Sequence, residues 1–257
     1  MASARPPSNN EYNSATAAVS NCESIINGHA IHFANDVPIT GTVYGTLLND
    51  KGTYNMLEPQ MTELPYKKPP TGPILYIKPR NTYNRNKGII PLPSGVQQVT
   101  IGASLGIVIG RTAVSVNEEH AMEYIEGYTI VNDVSLKHDS FYRPPIRFNA
   151  RDGFCPIGPD IKKASLISTP ESLKITVSIN NEVVQVNSTS ELIRPIPTLI
   201  RDVTEFMTLY PGDVLMVGVP GNPPVAKDGD KVSIEINQIG CLDNEILSED
   251  LIEQGRK

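Results

Sequence analysis

The sequence is poor in tryptophan, histidine and cysteine. Its 257 residues include no tryptophan, four histidines and three cysteines. Cys22, Cys155 and Cys241 lie far apart and without CxxC spacing, so neither a disulfide framework nor a zinc site is predicted. This cysteine usage fits a reducing cytoplasm best.

Long apolar runs and basic clusters are also missing. No segment reaches the roughly 20 apolar residues that a membrane-spanning helix requires. The formal net charge is -6 and the pI is about 5.3, and Lys and Arg form no patch of the kind that contacts nucleic acid. The composition therefore favours small molecules as partners over nucleic acid or membranes.

Turn-forming and β-branched residues are abundant instead. The chain has 22 prolines and 19 glycines, which separate short segments rich in Val, Ile and Thr, and this pattern predicts a mainly β fold of the α+β class. Asn180 and Asn181 predict a hairpin turn. The predicted strands cover residues 42–48, 74–77, 105–109, 128–131, 173–179, 183–186, 214–217, 231–236 and 240–247.

Two segments predict helices, and the proline-flanked residues 54–70 suit either a lid or a short helix. In the first, Asn117 is a candidate N-cap before two glutamates, and Gly127 is a candidate stop signal. The second covers residues 190–209, and its start is either Ser190 or Pro195. Its apolar face consists of Ile196, Leu199, Ile200, Val203 and Phe206.

Polar residues at two strand ends are the first candidates for a site. Asp133 follows strand 128–131, and Lys78 and Arg80 follow strand 74–77. A rigid sheet commonly presents functional residues where its strands enter loops. Two cations at one strand end suit a substrate carboxylate, and solvated surface charge is the alternative.

Five motifs cover most of the chain from Pro38 onwards. They are YIKPRNT at 76–82, SLGIVIGRTA at 104–113, EYIEGYTIVNDVSL at 123–136, FYRPPIRFNARDGFCPIGP at 141–159 and EFMTLYPGDVLMVGVP at 205–220. In this order they resemble the fumarylacetoacetate hydrolase family. Within it they resemble the N-terminal half of the two-domain isomerase/decarboxylases of homoprotocatechuate (4-hydroxyphenylacetate) degradation.

The resemblance implies a β-roll core with a small N-terminal lid region, usually in a dimer. Residues 38–100 would form the lid region, and residues 101–257 would form the catalytic-fold domain. Residues 1–37 lack the apolar core and cleavage site of a signal peptide, and we expect them to be a flexible leader.

The metal ligands of the family are altered in this chain. Active members hold Mg²⁺ or Mn²⁺ with two glutamates, two residues apart, and an aspartate. The glutamate positions are Gly102 and Ser104 here, and the aspartate is Asp133. A hard divalent cation needs several oxygen ligands. We therefore expect no cofactor, with Asp133 as a metal ligand only if a site persists.

The lid and the substrate pocket are altered as well. Hydrolytic members carry a His and Glu pair in the lid, whereas residues 49–56 offer Thr53 and Met56, neither of which is a base near neutral pH. A lysine before the RDG-like motif is replaced by Asn149, and an arginine after the ND motif is replaced by Lys137. We expect no hydrolysis.

The surviving polar residues predict an isomerase or lyase. A cationic pocket with one acid suits an oxo-dicarboxylate, and cations can stabilise an enolate. The catalytic candidates are Asp133, Lys137 and Lys78, with His138 as a further proton carrier. The substrate-binding candidates are Arg80, Tyr142, Arg143, Asn149, Arg151, Gly218, Val219 and Pro220, with Val219 replacing a family threonine.

The expected reaction is decarboxylation or keto-enol isomerisation of a small oxo-acid or a dienoic dicarboxylate. One alternative is a catalytically silent subunit that supports a metal-bearing homologue, in a heteromer instead of a homodimer. Another is a family member repurposed in secondary metabolism, where the pocket shapes a reaction by binding alone.

Other constellations have simpler explanations. Ser135, His138 and Asp139 are triad residue types, but neighbours on one loop seldom reach triad geometry. The acids and histidine at 118–123 suit a solvated helix end. Arg151 and Asp152 can be a structural pair, and Cys155 among apolar residues is predicted to be a packed thiol.

Overall fold

The computed structural model describes residues 23–26, 29–32, 37–64, 67–138 and 145–250. Most of the predicted leader lies outside these ranges. Within it, strands β1 (Glu23–Ile26) and β2 (His29–His32) pair antiparallel. In the described chain no helix is both long and apolar enough to cross a membrane.

The larger sheet has seven strands. They are β3 (Val43–Leu47), β4 (Ile74–Lys78), β5 (Tyr83–Asn84), β8 (Ala103–Ile109), β9 (Ile125–Asn132), β10 (Cys155–Lys163) and β13 (Val214–Met216). Their order in space is β4-β3-β13-β8-β9-β10-β5.

The second sheet has five strands. They are β6 (Ile89–Leu92), β11 (Lys174–Ile179), β12 (Glu182–Ser188), β15 (Lys231–Ile236) and β16 (Gly240–Ser248), in the order β12-β11-β15-β16-β6. A short pair consists of β7 (Val99–Thr100) and β14 (Val225–Ala226).

The helices are short. Those of α type are α1 (Lys51–Met61), α2 (Ile146–Asn149) and α3 (Ile196–Thr204). Single 3-10 segments cover Arg80–Thr82, Glu118–Tyr124, Ala164–Leu166, Pro170–Ser172 and Thr189–Glu191.

The connection between β4 and β5 shows why the large sheet is curled. These strands are the two opposite edges of the sheet, yet β4 ends at Lys78 and β5 begins at Tyr83. Seven strands laid flat would span roughly 29 Å at about 4.8 Å per step, whereas five extended residue steps reach at most about 18 Å. The sheet must roll until its edges approach each other, which produces a β-roll and confirms the mainly β prediction.

Strand alternation creates two apolar layers. Leu105, Ile130, Val177, Ile234 and Leu242 belong to the main core, to which both sheets contribute. The side chains of alternate parity in the large sheet form a second cluster, whose members are Ile39, Val43, Tyr83, Val108, Val131, Cys155, Ile157, Val214 and Met216. This second face also carries the polar residues of the candidate site.

The helix predicted from Asn117 to Gly127 is wrong in type and length. Residues Glu118–Tyr124 form a 3-10 segment without a side-chain cap from Asn117, and β9 begins at Ile125. Gly127 lies inside the sheet opposite Val108, where an added Cβ would collide with the carbonyl oxygen of Lys162. The glycine is therefore required for close backbone approach in the sheet, and it does not end a helix.

The second predicted helix is shorter than expected. It runs over Ile196–Thr204 with Pro195 as its N-cap, while Thr189–Glu191 forms a separate 3-10 segment. Pro195 lacks an N–H and restricts the preceding residue, so the helix begins only there. The predicted apolar face is buried except for Phe206, which lies beyond the helix and is exposed. The hairpin at Asn180 and Asn181 is confirmed, with positive φ at both residues.

Candidate active site

The candidate site lies on the second apolar face of the large sheet. Asp133 directly follows β9, and Tyr76 and Lys78 are two residues apart in β4, so both point to one side of the strand. In the flat order, β4 and β9 are four steps apart. The curl of the sheet brings these side chains within hydrogen-bonding distance.

Lys78 and Asp133 form a buried ion pair. The distance from Lys78 Nζ to Asp133 Oδ1 is 2.8 Å, and Lys78 is fully buried while the Asp133 side chain keeps 14% of its exposure. Lys78 Nζ also donates to the carbonyl oxygens of Val134, at 3.2 Å, and Asn149, at 2.6 Å. These contacts satisfy the ammonium group, as burial of a charge requires.

Tyr76 holds the other side of the same carboxylate. Its hydroxyl donates to Asp133 Oδ2. Burial, reinforced by the charge of Asp133, raises the pKa of the Tyr76 phenol well above its ordinary value. Tyr76 therefore remains a protonated donor to Asp133 throughout the physiological pH range.

Cys155 lies behind this group as a packed thiol. It is buried, and burial raises the pKa of its thiol to about 12, an effect that the Lys78 ammonium opposes and the Asp133 carboxylate supports. A thiol that stays protonated is a poor nucleophile.

A cavity of about 510 Å³ opens in front of Asp133. Its volume lies in the range of small-molecule sites. Helix α1 forms one wall, and the loop at Val219–Pro223 and the ends of β3 and β4 form others. The helix and the loop are joined by Asp50, whose Oδ1 accepts from Thr53 N at 2.8 Å and from Gly221 N at 3.2 Å.

The structure brings some of the predicted site residues together. Asp133, Val219 and Pro220 line the cavity. Lys78 lies behind Asp133, and Asn149 enters the arrangement through its carbonyl oxygen, which accepts from Lys78. Gly218 accepts a hydrogen bond from Ser104 at 2.9 Å through its own carbonyl oxygen.

Other predicted residues lie elsewhere. Arg80 and Lys137 are exposed and are not among the described residues that line the cavity. Arg151 and Asp152 line a separate hollow of about 240 Å³. Tyr142 and Arg143 lie outside the described residues.

The remaining polar constellations show no second centre in the described chain. His138 stacks on Phe148, with 5.0 Å between the ring centroids. His120 Nδ1 lies 2.9 Å from Glu123 Oε1 on the surface. Ser135 lines the cavity, while Asp139 lies outside the described residues. Within the described ranges, no group of three or more His, Cys, Asp or Glu side chains is arranged to hold a metal ion.

Sequence reasoning missed Tyr76 and the cavity face of α1. The signal for Tyr76 was its spacing of two from Lys78 in a predicted strand, which places both on one face. The segment containing α1 carries Pro59, which obscures a helical pattern, although Asp50 before Thr53 is an N-cap signature.

The residues present do not fit the divalent metal of the family. Gly102 offers no ligand, and a Cβ there would lie 2.5 Å from the carbonyl oxygen of Asp133. Ser104 is buried and its hydroxyl donates to the carbonyl oxygen of Gly218. Both oxygens of Asp133 already contact Lys78 or Tyr76. Of the three family positions, Asp133 therefore supplies the one carboxylate, which is too few oxygen ligands for a hard divalent cation.

The family model for the C-terminal domain of fumarylacetoacetate (FAA) hydrolase matches residues 42–247. The chain belongs to the fumarylacetoacetate hydrolase family. Its relatives include isomerases and a bifunctional isomerase/decarboxylase.

Among the curated relatives is the 4-hydroxyphenylacetate degradation bifunctional isomerase/decarboxylase of Escherichia coli, which is 37% identical over 209 residues. The match covers 81% of this chain and 48% of that protein, so the chain spans about half the length of this relative.

Two solved structures support the same assignment. The 5-carboxymethyl-2-hydroxymuconate delta-isomerase of Mycobacterium smegmatis has 29% identity and a TM-score of 0.71, with coverage of 87% of this chain and 84% of that chain. The 2-hydroxyhepta-2,4-diene-1,7-dioate isomerase of Mycobacterium marinum has 29% identity and a TM-score of 0.69, with coverage of 88% and 83%.

Proposed function

We propose that this chain is an isomerase that moves a proton on a small oxo-acid or dienoic dicarboxylate through an enolate, without activating water. The observation that carries the proposal is the position of Asp133, at the cavity wall, with its carboxylate held by Lys78 and Tyr76. An acid held in one orientation beside a small-molecule cavity is suited to general base catalysis.

Charge balance supports this role. Asp133 rests as the anion of an ion pair with Lys78. When it takes the proton from the carbon next to the substrate carbonyl, the new negative charge is on the enolate. The Lys78 ammonium lies behind Asp133 and does not line the cavity, so it balances the enolate charge at a distance, through the newly protonated Asp133 carboxyl group. Return of the proton to a different carbon, or to oxygen, completes the isomerisation.

The same geometry favours isomerisation over decarboxylation. Loss of CO₂ leaves an enolate directly and needs a proton donor afterwards, whereas Asp133 is a proton acceptor in its ion pair. Tyr76 is the neighbouring O–H group, and its raised pKa makes it reluctant to release its proton.

Proton exchange tests the proposal. Wild-type protein, treated with EDTA, is incubated in D₂O with 2-oxo acids and 2-hydroxy-2,4-dienoates, and deuterium at C3 is followed by NMR. We expect exchange in the wild type and an at least hundredfold loss in Asp133→Asn, consistent with removal of a general base. Asp152→Asn is the control, since Asp152 lies at the separate hollow.

Other results of these assays would contradict the proposal. Exchange that is unchanged in a folded Asp133→Asn variant, or CO₂ release faster than C3 exchange, contradicts the proposal. Restoration of activity only when Mn²⁺ or Mg²⁺ is added after EDTA treatment would contradict the conclusion that the altered residues do not hold the family's metal.

A second function is favoured by Gly102 and by the half-length match to the bifunctional relative. In this alternative, the chain is a catalytically silent subunit that associates with a metal-bearing homologue. Co-expression with a homologue that carries both glutamates tests this: a stable heteromer, with no C3 exchange by the isolated chain, supports the silent subunit. An active homodimer supports the isomerase.

A further inference from the structure

The cavity face of α1 is largely apolar, with Met56, Leu57 and Met61 beside the polar Thr53 and Gln60, and Met61 at its end is buried. Thr53, Met56, Leu57, Gln60 and Met61 follow the i, i+3, i+4, i+7, i+8 spacing and all line the cavity. Such a stripe normally marks the side of a helix that packs against other apolar side chains. Here it borders open space, and Met56 remains 50% exposed.

The wall formed by β3 and β4 has the same character. Leu47 and Ile74 are register partners in these strands, and both line the cavity while keeping large exposed fractions. Val219 and Pro220 add further apolar surface from the loop. A single exposed apolar side chain carries no functional meaning. Several of them gathered around one cavity indicate an apolar ligand.

Charge in the described lining is limited. Of the described residues that border the cavity, Lys68 and Asp133 are the charged ones. Asp133 is neutralised by Lys78, which leaves Lys68, an exposed residue, as the cation available to a ligand.

We infer that the substrate is an amphipathic oxo acid with one carboxylate, one enolisable carbon and an apolar chain or ring. The carboxylate pairs with Lys68, the enolisable carbon lies against Asp133, and the apolar group packs between α1 and the ends of β3 and β4. This inference rests on the proposed isomerase function, and of its two substrate classes, oxo acids and dienoic dicarboxylates, it selects oxo acids with one carboxylate and an apolar substituent.

Binding is measured separately from turnover with 3,3-dimethyl-2-oxo acids, which have no proton at C3 and cannot enolise. Calorimetric titration of the full chain uses straight-chain members of increasing length and, at each length, the matching dicarboxylate. We expect affinity to rise about fourfold for each added methylene until the cavity is filled. The dicarboxylate of equal length is expected to bind at least tenfold more weakly.

A variant of the helix face sharpens the test. Met56→Lys places a cation at the apolar wall, and it is expected to abolish the length dependence and to reverse the preference in favour of dicarboxylates. Leu64→Lys is the matched control, because Leu64 is 79% exposed and is not among the described lining residues. Both positions are exposed, so both variants should fold.

Several outcomes would overturn the inference. They are affinity that is independent of chain length, a wild-type preference for the dicarboxylate, and an unchanged preference in Met56→Lys. A wild-type preference for the dicarboxylate that disappears in Arg143→Ala would identify Arg143 as the cation that binds the second carboxylate. That result would also overturn the inference. Tight, length-dependent binding without C3 exchange of enolisable analogues would instead reject the isomerase function alone.

Discussion

The ring of Tyr76 lies directly over the backbone of Gly45, its register partner across β3 and β4. An added Cβ at Gly45 would overlap the ring carbons of Tyr76. The absence of a side chain in β3 therefore creates the space through which the Tyr76 hydroxyl reaches Asp133. A residue that carries no functional group thus positions one that does.

Gly45→Ala should displace Tyr76 and impair the site. We expect a loss of about 1–3 kcal/mol in the free energy of unfolding, as for other overpacked positions, and a fall in the rate of C3 exchange. Urea unfolding and the exchange assay measure the two effects. Gly72→Ala is the control, since an added Cβ there meets nothing within 4 Å; equal effects of both substitutions would contradict the explanation.

The Lys78–Asp133 pair should show strong coupling. Lys78→Met leaves a carboxylate without its cation and Asp133→Asn leaves a buried ammonium, and each is expected to lower the free energy of unfolding by about 3–5 kcal/mol. The double variant removes both charges, so its loss should be at least 1 kcal/mol smaller than the sum. A double-mutant cycle from urea unfolding measures this coupling, and simple additivity would argue against a functional ion pair.

Asp50 should control the order of α1. As N-cap it accepts from Thr53 N, and it also accepts from Gly221 N in the opposite loop. Asp50→Ala should lower the free energy of unfolding by about 1–2 kcal/mol and speed amide exchange in α1. Hydrogen exchange mass spectrometry detects this, with the exposed Glu58→Ala as control; unchanged exchange in α1 would show that the cap does not stabilise the helix.

Cys155 should make stability fall at alkaline pH. The unfolded thiol releases its proton near pH 9, whereas burial raises the pKa of the folded thiol to about 12. The unfolded state alone therefore gains free energy by ionising above pH 9, and the free energy of unfolding decreases as pH rises.

Between pH 8 and 10 this effect amounts to about 1.4 kcal/mol. Cys155→Ala should lower stability at every pH because of the cavity, but it should lack this pH-dependent decline. Urea unfolding at pH 8, 9 and 10 measures the difference. Parallel curves for the two proteins would mean that Cys155 is not held protonated by burial.

Reinstalling the missing glutamates should not rebuild a metal centre by itself. Any side chain at Gly102 meets the carbonyl oxygen of Asp133 at 2.5 Å, so Gly102→Glu with Ser104→Glu should lower the melting temperature. Added Mn²⁺ should restore little of it, because a metal that binds weakly adds little to the free energy of unfolding. A rise of ten degrees or more with millimolar Mn²⁺, in the double variant alone, would disprove this.

Local patterns predicted much of the fold because they depend on neighbours in sequence. The strands around Leu105 and Leu173, the Asn180-Asn181 turn and the buried face of α3 follow from alternation, turn chemistry and helical spacing. The segment at Glu118–Tyr124 was mispredicted because N-cap and helix-stop signals are equally compatible with a tight turn leading into a strand.

The sequence by itself determined the family, the mainly β class, the altered positions Gly102 and Ser104, and Asp133 as the remaining acid. The tertiary structure alone decided that Tyr76 and Lys78 meet Asp133, that Arg151 lies at a separate hollow, and that α1 turns an apolar face to the cavity. The reason is that side-chain direction follows a local period of two or 3.6 residues. Contact between residues more than 50 positions apart depends instead on how far the sheet curls, and no local pattern encodes that curvature.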